Sequence, residues 1–214
     1  MSIEINRQEI VEQIGKIRVI PLTALATVAD GLKVCESLNN AGLKTIEVTF
    51  RTASAEETIR EAAKAFPDML IGAGTILNIR DLERAANAGA KFAVAPGCNP
   101  KVVKRANEIG LPFFPGITNP TDIECAYDEL GCDILKFFPA EAVGGIKLLK
   151  AMIAPYKHLG IRFIPTGGIN ADNYSTYLEI NEVLAVGGTW IVPKDAVKNQ
   201  EWQVITDKAR EVLS

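Results

Sequence analysis

Short apolar segments alternate with longer amphipathic segments along this chain. Eight apolar runs recur at intervals of 21 to 28 residues, and they begin near Arg18, Thr45, Leu70, Phe92, Phe113, Ile134, Arg162 and Val183. Strands that alternate with helices in this way pair in parallel. Eight such units can close into a TIM barrel, the (β/α)8 fold, and a length of 214 residues suits that fold. A doubly wound open sheet is the alternative, because periodicity does not by itself show closure.

The amphipathic segments carry signals for the starts of helices. Ser54 and Glu57 have the spacing of a capping box, which predicts a helix after the second apolar run. The pairs Asn99-Pro100 and Asn119-Pro120 predict two further helix starts, since an asparagine N-cap and a proline in the first turn both favour one. Apolar residues at helical spacing from 202 to 212 predict a last helix against the sheet.

One further helix is expected before the first strand. Ile10, Val11 and Ile14 lie at helical spacing, and Gly15 is a typical helix end. We therefore expect residues 1–214 to form a single barrel domain, to which residues 1–16 add a short N-terminal helix that packs on the barrel.

Charge and hydropathy argue against two classes of partner. The chain has 23 basic and 26 acidic residues, a formal net charge of −3, which provides no basic surface for a nucleic acid. Its charge-free stretches fall well short of the roughly 18 apolar residues that a membrane-spanning helix needs. We expect neither a nucleic acid nor a membrane as partner.

Cysteine and histidine usage restricts the chemistry further. The four cysteines, Cys35, Cys98, Cys125 and Cys132, match neither a metal-binding nor a dithiol spacing, and we interpret them as reduced thiols of a cytoplasmic protein, two of them on helices. His158 is the only histidine and lies in a polar segment, where a solvated loop residue is expected. Metal sites built from several histidines are therefore excluded, and proton transfer needs another group.

The second apolar run, residues 45–51, alternates strictly. Ile46, Val48 and Phe50 share one face of the strand, so Glu47, Thr49 and Arg51 fall on the other. A half-exposed antiparallel strand would show the same alternation with its charges in water. In a parallel barrel both faces are covered, and inward charges then serve each other or a ligand. We favour a functional role for Glu47 and Arg51.

The sixth run contains a lysine in an apolar setting. Lys136 has Ile134, Leu135, Phe137 and Phe138 as chain neighbours, and loss of solvent there disfavours the ammonium and favours the neutral amine, a nucleophile toward carbonyls. Two structural alternatives are an ion pair with Glu47 and a buried stem whose head reaches water at the rim. Lys136 and Glu47 together provide what imine chemistry requires, a group that attacks and a group that moves protons.

Two glycine pairs follow the last two strands. Thr166-Gly167-Gly168 and Gly187-Gly188-Thr189 can bring backbone N–H groups close to an anion, and the loops after these strands are the usual phosphate site of a TIM barrel. The two pairs together predict a phosphorylated ligand.

Thr75 ends the third run and is a candidate partner of a small carboxylate. Arg51 is expected to bind the same carboxylate beside Thr75. A guanidinium suits this role because it can form two parallel hydrogen bonds with a carboxylate. For the segments 72–75 and 95–97, an ordinary strand-to-helix turn is nearly as good an interpretation when each is taken alone.

Taken together, these segments resemble a known family. The stretches EVTFRT (47–52), GAGT (72–75), APG (95–97), FFPAE (137–141), PTGG (165–168) and GTW (188–190) are similar, in order, to those of the 2-keto-3-deoxy-6-phosphogluconate (KDPG) aldolases, whose members often also act on 4-hydroxy-2-oxoglutarate (KHG). The similarity extends from about Ile17 to Pro193.

The resemblance implies a class I aldolase of the Entner–Doudoroff pathway that forms a Schiff base. It implies a barrel fold, a cytoplasmic location, no metal or other cofactor, and usually a homotrimer. Lys136 corresponds to the imine-forming lysine, Glu47 to the proton-transferring carboxylate, and Arg51 with Thr75 to the groups that hold the pyruvate carboxylate.

Further positions follow from the same resemblance. Pro96 and Phe138 correspond to pocket walls, and the phosphate cradle corresponds to Gly167, Gly168, Gly188 and Thr189. Thr189 stands where serine is more common in this family, which keeps the hydroxyl and adds a methyl group.

The residues taken alone leave two other functions open. The same barrel would suit an isomerase or decarboxylase in which Lys136 is a general acid, or a non-catalytic sensor of a sugar phosphate. The choice among gluconate-type, galactonate-type and unphosphorylated substrates also stays open, since stereochemistry at C4 depends on sub-ångström placement.

Overall fold

Parallel strands form a closed ring in the computed structural model, which describes residues 7–213. The strands are β1 Val19–Thr23, β2 Thr45–Thr49, β3 Leu70–Gly74, β4 Phe92–Val94, β5 Phe113–Phe114, β6 Gly116–Ile117, β7 Ile134–Phe137, β8 Arg162–Pro165 and β9 Val186–Gly188. β5 and β6 are two halves of one strand, interrupted at Pro115, which has no N–H to donate.

The ring closes because the last strand returns to the first. β1 pairs with β2 on one side and with β9 on the other. Isolated bridges from Phe163 to Val183 and from Thr166 to Gly187 join the β8 side of the ring to the β9 side. The TIM-barrel prediction is thus confirmed, and the open doubly wound sheet is wrong.

Helices cover the outside of the ring and one of its ends. They are α1 Arg7–Ile17, α2 Val28–Ala41, α3 Ala55–Ala65, α4 Ile79–Asn87, α5 Pro100–Glu108, α6 Pro120–Glu124, α7 Ala140–Val143, α8 Gly145–Tyr156, α9 Tyr174–Leu178, α10 Lys194–Lys198 and α11 Trp202–Glu211. A π-helical segment, Cys125–Glu129, continues α6, and a 3-10 segment, Lys157–Leu159, continues α8.

All three predicted helix starts are confirmed, since α3, α5 and α6 begin at Ala55, Pro100 and Pro120, and two of the three side-chain caps form. The side chains of Asn99 and Asn119 accept hydrogen bonds from backbone N–H groups in the first turns of α5 and α6. The capping box at Ser54 is wrong. Ser54 has helical backbone angles, and its hydroxyl donates to the Leu25 carbonyl at 2.7 Å, so this side chain ties α3 to the loop after β1 instead of capping the helix.

Apolar residues form an outer and an inner core. The outer core fills the space between sheet and helices. The inner core occupies the barrel interior and consists of Ile10, Ile14, Ile20, Leu70, Phe92, Val94, Phe114, Ile134, Ile164, Leu184 and Ala185. Since this cluster includes the first residues of β3 and β7 and the two residues just before β9, it packs the amino-terminal half of the barrel.

Helix α1 closes that end of the barrel. Its residues Ile10 and Ile14 are buried in the inner core, which confirms an N-terminal helix packed on the barrel. The helix continues past Gly15 to Ile17. A Cβ on Gly15 would lie 3.1 Å from Leu184, so this glycine permits close packing. The first six residues of the predicted segment lie outside the described residues, and the single domain over 1–214 stays a prediction.

The four cysteines are free thiols, and two lie on helical segments as expected, Cys35 in α2 and Cys125 in the π-helical turn. Burial raises the pKa of Cys35 to about 12, which makes it an unreactive core residue at neutral pH. No helix among the described residues has the length and apolar character to cross a membrane.

Replacing Ile14 by alanine tests the role of α1 as a plug. The lost side chain would leave a cavity in the inner core, and we expect the free energy of unfolding to fall by about 3 kcal/mol. Urea denaturation measures this change. Val204→Ala, at a position in α11 that is 38% exposed, is the control and should change stability little; equal effects of the two substitutions would contradict the assignment.

Candidate active site

The alternation of β2 directs its polar side chains into the barrel. Ile46 and Val48 belong to the outer core, as predicted, and Glu47 and Thr49 are buried on the opposite face. Arg51 follows the strand and is exposed at its carboxyl end. This end of the barrel is where ligands bind in such folds.

Lys136 lies on β7 and reaches Glu47 across the barrel interior. Its Nζ is 3.2 Å from both carboxylate oxygens of Glu47, and the two side chains are only 6% and 5% exposed. Leu135 and Phe137 belong to the outer core, so the same alternation that buries them outside turns Lys136 inward. The predicted pair is therefore formed, and Lys136 does not reach water at the rim.

Phe138 forms part of the surroundings of this amine. The Lys136 Nζ lies 5.9 Å from the centroid of the Phe138 ring, within the range of a cation–π contact. The peptide bond between Phe138 and Pro139 is cis.

Space for the carboxylate comes from a glycine on the neighbouring strand. A Cβ added to Gly74, at the end of β3, would lie 2.0 Å from the Oε1 of Glu47 and 2.7 Å from its Cδ. Any side chain there would collide with the carboxylate. Gly74 therefore sets the position of Glu47. The sequence did not reveal this role, because Gly74 lies in a segment that also suits an ordinary strand-to-helix turn.

A cavity of about 90 Å³ opens next to the pair. It is lined by Leu22, Glu47, Thr49, Arg51, Thr75, Pro96, Lys136, Phe138 and Thr166. Seven of these nine are predicted site residues. Leu22 was missed because an apolar residue in an apolar strand carries no signal, whereas the inward placement of Thr49 is visible in the alternation of its strand.

A short chain of hydrogen bonds orients Arg51. Its Nε donates to the Oγ1 of Thr49 at 3.3 Å, and that hydroxyl donates to the Thr23 carbonyl at 3.1 Å. The bond to Thr49 is the one hydrogen bond that Arg51 makes within residues 7–213. Both terminal nitrogens of its guanidinium therefore remain for a ligand.

Thr75 lies at the edge of the same cavity in a costly conformation. Its φ of +61° is in the left-handed region, which is unfavourable for a β-branched residue. Such strain concentrates at functional sites, where the surrounding structure holds it.

The predicted glycine loops lie side by side. The bridge between Thr166 and Gly187 joins them, and a Cβ on Gly187 would lie 2.6 Å from the Thr166 hydroxyl. Gly167 is beside Phe138, since a Cβ there would lie 3.3 Å from that ring. The loops thus flank the cavity, although of their residues only Thr166 lines it.

Gly188 and Thr189 complete the second loop. A Cβ on Gly188 would overlap the Trp190 ring, so only glycine fits there. Thr189 is exposed beside it.

A closed parallel barrel with a buried amine and carboxylate beside a cavity at the carboxyl ends of its strands defines an enzyme suited to carbonyl chemistry. The model of the KDPG and KHG aldolase family matches residues 10–208, and the chain belongs to this family. It is 41% identical over 206 residues, 96% of each chain, to the 2-dehydro-3-deoxy-phosphogluconate aldolase of Haemophilus influenzae.

Further relatives agree. The KHG/KDPG aldolase of Escherichia coli (strain K12) is 39% identical over 195 residues, 91% of this chain and 90% of that protein. The crystal structure of KDPG aldolase from Legionella pneumophila, with pyruvate captured at low pH as a covalent carbinolamine intermediate, has a TM-score of 0.88 at 36% identity and covers 94% of this chain and 98% of that one. The family resemblance and the aldolase class are confirmed, and these relatives support neither the isomerase or decarboxylase nor the sensor.

Gly74→Ala tests the positioning of Glu47. Its methyl group would displace the carboxylate, and misplacement of a reacting group by about 1 Å typically costs about a hundredfold in rate. We expect a loss of that size in kcat/KM with an unchanged circular dichroism spectrum.

The matched control is Gly97→Ala, where an added Cβ has nothing within 4 Å. Its activity should match that of the unaltered protein. Full activity of Gly74→Ala would show that the position of Glu47 seen here is not required.

Proposed function

We propose that this chain cleaves KDPG to pyruvate and glyceraldehyde 3-phosphate through a Schiff base on Lys136. The observation that carries the proposal is the buried contact of the Lys136 Nζ with both oxygens of Glu47 next to a small cavity. The Legionella pneumophila relative, in which pyruvate was captured as a covalent carbinolamine, supports a covalent step of this kind.

Imine formation begins with a proton transfer. Glu47 takes a proton from the Lys136 ammonium at 3.2 Å and leaves a neutral amine. The amine nitrogen forms a bond to C2 of the 2-keto acid while the carbonyl electrons move to oxygen, which takes one proton from the nitrogen and a second from Glu47, so that Glu47 is again a carboxylate. Loss of this oxygen as water gives a protonated imine, an electron sink.

Cleavage uses the same carboxylate as a base. Glu47, directly or through a water molecule, takes the proton of the C4 hydroxyl, the C3–C4 bond breaks, and its electrons form an enamine at C2 and C3. Glyceraldehyde 3-phosphate leaves as the aldehyde. Glu47 returns a proton to C3, and hydrolysis of the imine releases pyruvate and restores Lys136.

The remaining cavity residues hold the pyruvate half of the substrate. Arg51 and Thr75 bind its carboxylate, Arg51 with the two terminal nitrogens that its contact with Thr49 leaves available. Pro96 and Phe138 form apolar walls, and Thr166 connects this half to the adjoining loop.

The phosphate binds at the paired glycine loops. Gly167, Gly168, Gly187 and Gly188 allow the backbone to approach the anion, and Thr189 offers a hydroxyl. KHG, which has no phosphate, is a second substrate that uses only the cavity, and the name of the Escherichia coli relative supports both substrates.

We further propose a cytoplasmic homotrimer that acts in the Entner–Doudoroff pathway. Half-buried free thiols at Cys98 and Cys125 suit a reducing compartment. The proposal of a trimer is supported by the family resemblance.

Trapping with borohydride tests the proposed chemistry. Pyruvate and sodium borohydride should reduce the imine to a stable secondary amine, and mass spectrometry of peptides should locate the adduct at Lys136. An unmodified Lys136 at saturating pyruvate would contradict the imine mechanism.

Three variants separate chemistry from folding. Lys136→Met alone would leave Glu47 buried without its partner, which typically destabilises a protein by about 3–5 kcal/mol. The double variant Lys136→Met/Glu47→Gln removes both charges and should fold, form no adduct and cleave no KDPG. Glu47→Gln alone keeps the nucleophile but removes its proton acceptor, so it should form the adduct only slowly while cleavage falls strongly.

Sedimentation equilibrium tests the assembly. The 23.1 kDa chain is expected to sediment with three times that mass. A monomer with full aldolase activity would contradict the trimer and leave the chemistry untouched.

A further inference from the structure

The loop after β8 is fixed by hydrogen bonds that its backbone carbonyl groups accept. The Ala140 N–H donates to the Thr166 carbonyl at 2.8 Å, and the Glu141 N–H donates to the Gly167 carbonyl at 3.0 Å. The loop is therefore anchored to the start of α7.

The next carbonyl is held by side chains. The amide nitrogens of Asn170 and Asn173 lie 3.4 and 3.2 Å from the Gly168 carbonyl oxygen. Each carbonyl from 166 to 168 therefore accepts a hydrogen bond from the protein.

The N–H groups of this loop are in the opposite situation. Past Gly167, those of Gly168 and Ile169 have no hydrogen-bond partner in the part of the chain that the structure describes. Both glycines have positive φ, +99° and +83°. A short backbone segment with bound carbonyls and available N–H groups is suited to an anion, provided that the segment keeps its position.

Glu141 supports this loop with its side chain as well. A Cβ on Gly168 would lie 2.5 Å from the Cβ and 2.7 Å from the Cγ of Glu141, so the glycine backbone packs directly on the stem of that side chain. The orientation of Glu141 therefore affects where the Gly168 N–H points.

Tyr177 fixes that orientation from α9. Its hydroxyl donates to Oε1 of Glu141, and its side chain is fully buried. Burial and the hydrogen bond to Glu141 raise the pKa of Tyr177, so the phenol remains protonated and remains a donor.

We propose that Tyr177 and Glu141 are positioning residues for the substrate phosphate, and that their hydrogen bond sets the preference for phosphorylated over unphosphorylated 4-hydroxy-2-keto acids. The inference rests on the proposed function. Neither residue lines the cavity at Lys136, so the pyruvate half of the substrate does not depend on them.

Tyr177→Phe tests the inference because it removes one hydroxyl and keeps the packed ring. Loss of a hydrogen bond to a charged group should raise KM for KDPG about tenfold. KM for KHG and kcat for both substrates should stay unchanged. Inorganic phosphate, used as a competitive inhibitor of KDPG cleavage, should show a matching loss of affinity.

Tyr156→Phe is the matched control. The Tyr156 hydroxyl donates to Glu124 at 2.8 Å, a bond of the same kind at the carboxyl end of α8 that touches neither glycine loop. This variant should keep both KM values. If Tyr177→Phe weakens KDPG and KHG equally, or behaves like Tyr156→Phe, the inference is wrong.

Variants at the exposed Glu141 provide a second test that does not depend on substitution of a buried residue. Glu141→Ala removes the acceptor and should reproduce the separation between the two substrates. Glu141→Gln keeps an acceptor oxygen and should retain the low KM for KDPG; a high KM in this variant would overturn the inference.

The unaltered protein separates a failure of the proposed function from a failure of the positioning role. If it forms no borohydride adduct and cleaves neither substrate, the proposed function fails. If it does both and Tyr177→Phe shows no separation between KDPG and KHG, only the positioning role fails.

Discussion

The buried contact between Lys136 and Glu47 is the interaction on which the rest of this site depends. Two charged groups at 3.2 Å, each almost fully removed from water, lose hydration that only their mutual attraction and a well-fitted surrounding can offset. An isolated strand could not bury either group. The closed barrel provides a dry interior. β2 and β7 lie in different parts of the ring, and both direct a polar side chain into this interior, which keeps the amine beside a proton acceptor.

The barrel divides along its axis into a packed half and a reactive half. Ile134 belongs to the inner core, and Lys136, two residues further along the same face of β7, faces the cavity. Helix α1 seals the packed end with Ile10 and Ile14. Apolar packing at one end thus stabilises the fold, while strained and polar groups, such as Thr75 with its positive φ, occupy the other end.

Glycines determine where the polar groups lie, by the space they leave. Gly74 accommodates the carboxylate of Glu47, and Gly168 allows the loop after β8 to rest on Glu141. Both contacts connect strands or loops that are remote in the chain. The positions of the carboxylate and of the loop therefore depend on residues that have no functional group of their own.

The sequence by itself determined the repeated strand and helix units, the inward placement of Glu47 and Lys136, and the glycine loops, because these follow from periodicity and local backbone preferences. The family followed from the ordered motifs. Only the tertiary structure decided that the ring closes, that Lys136 meets Glu47, that Ser54 bonds to Leu25 instead of capping its helix, and that Leu22 lines the cavity. Each of these is a contact between segments far apart in the chain, and local patterns do not encode the distance between such segments.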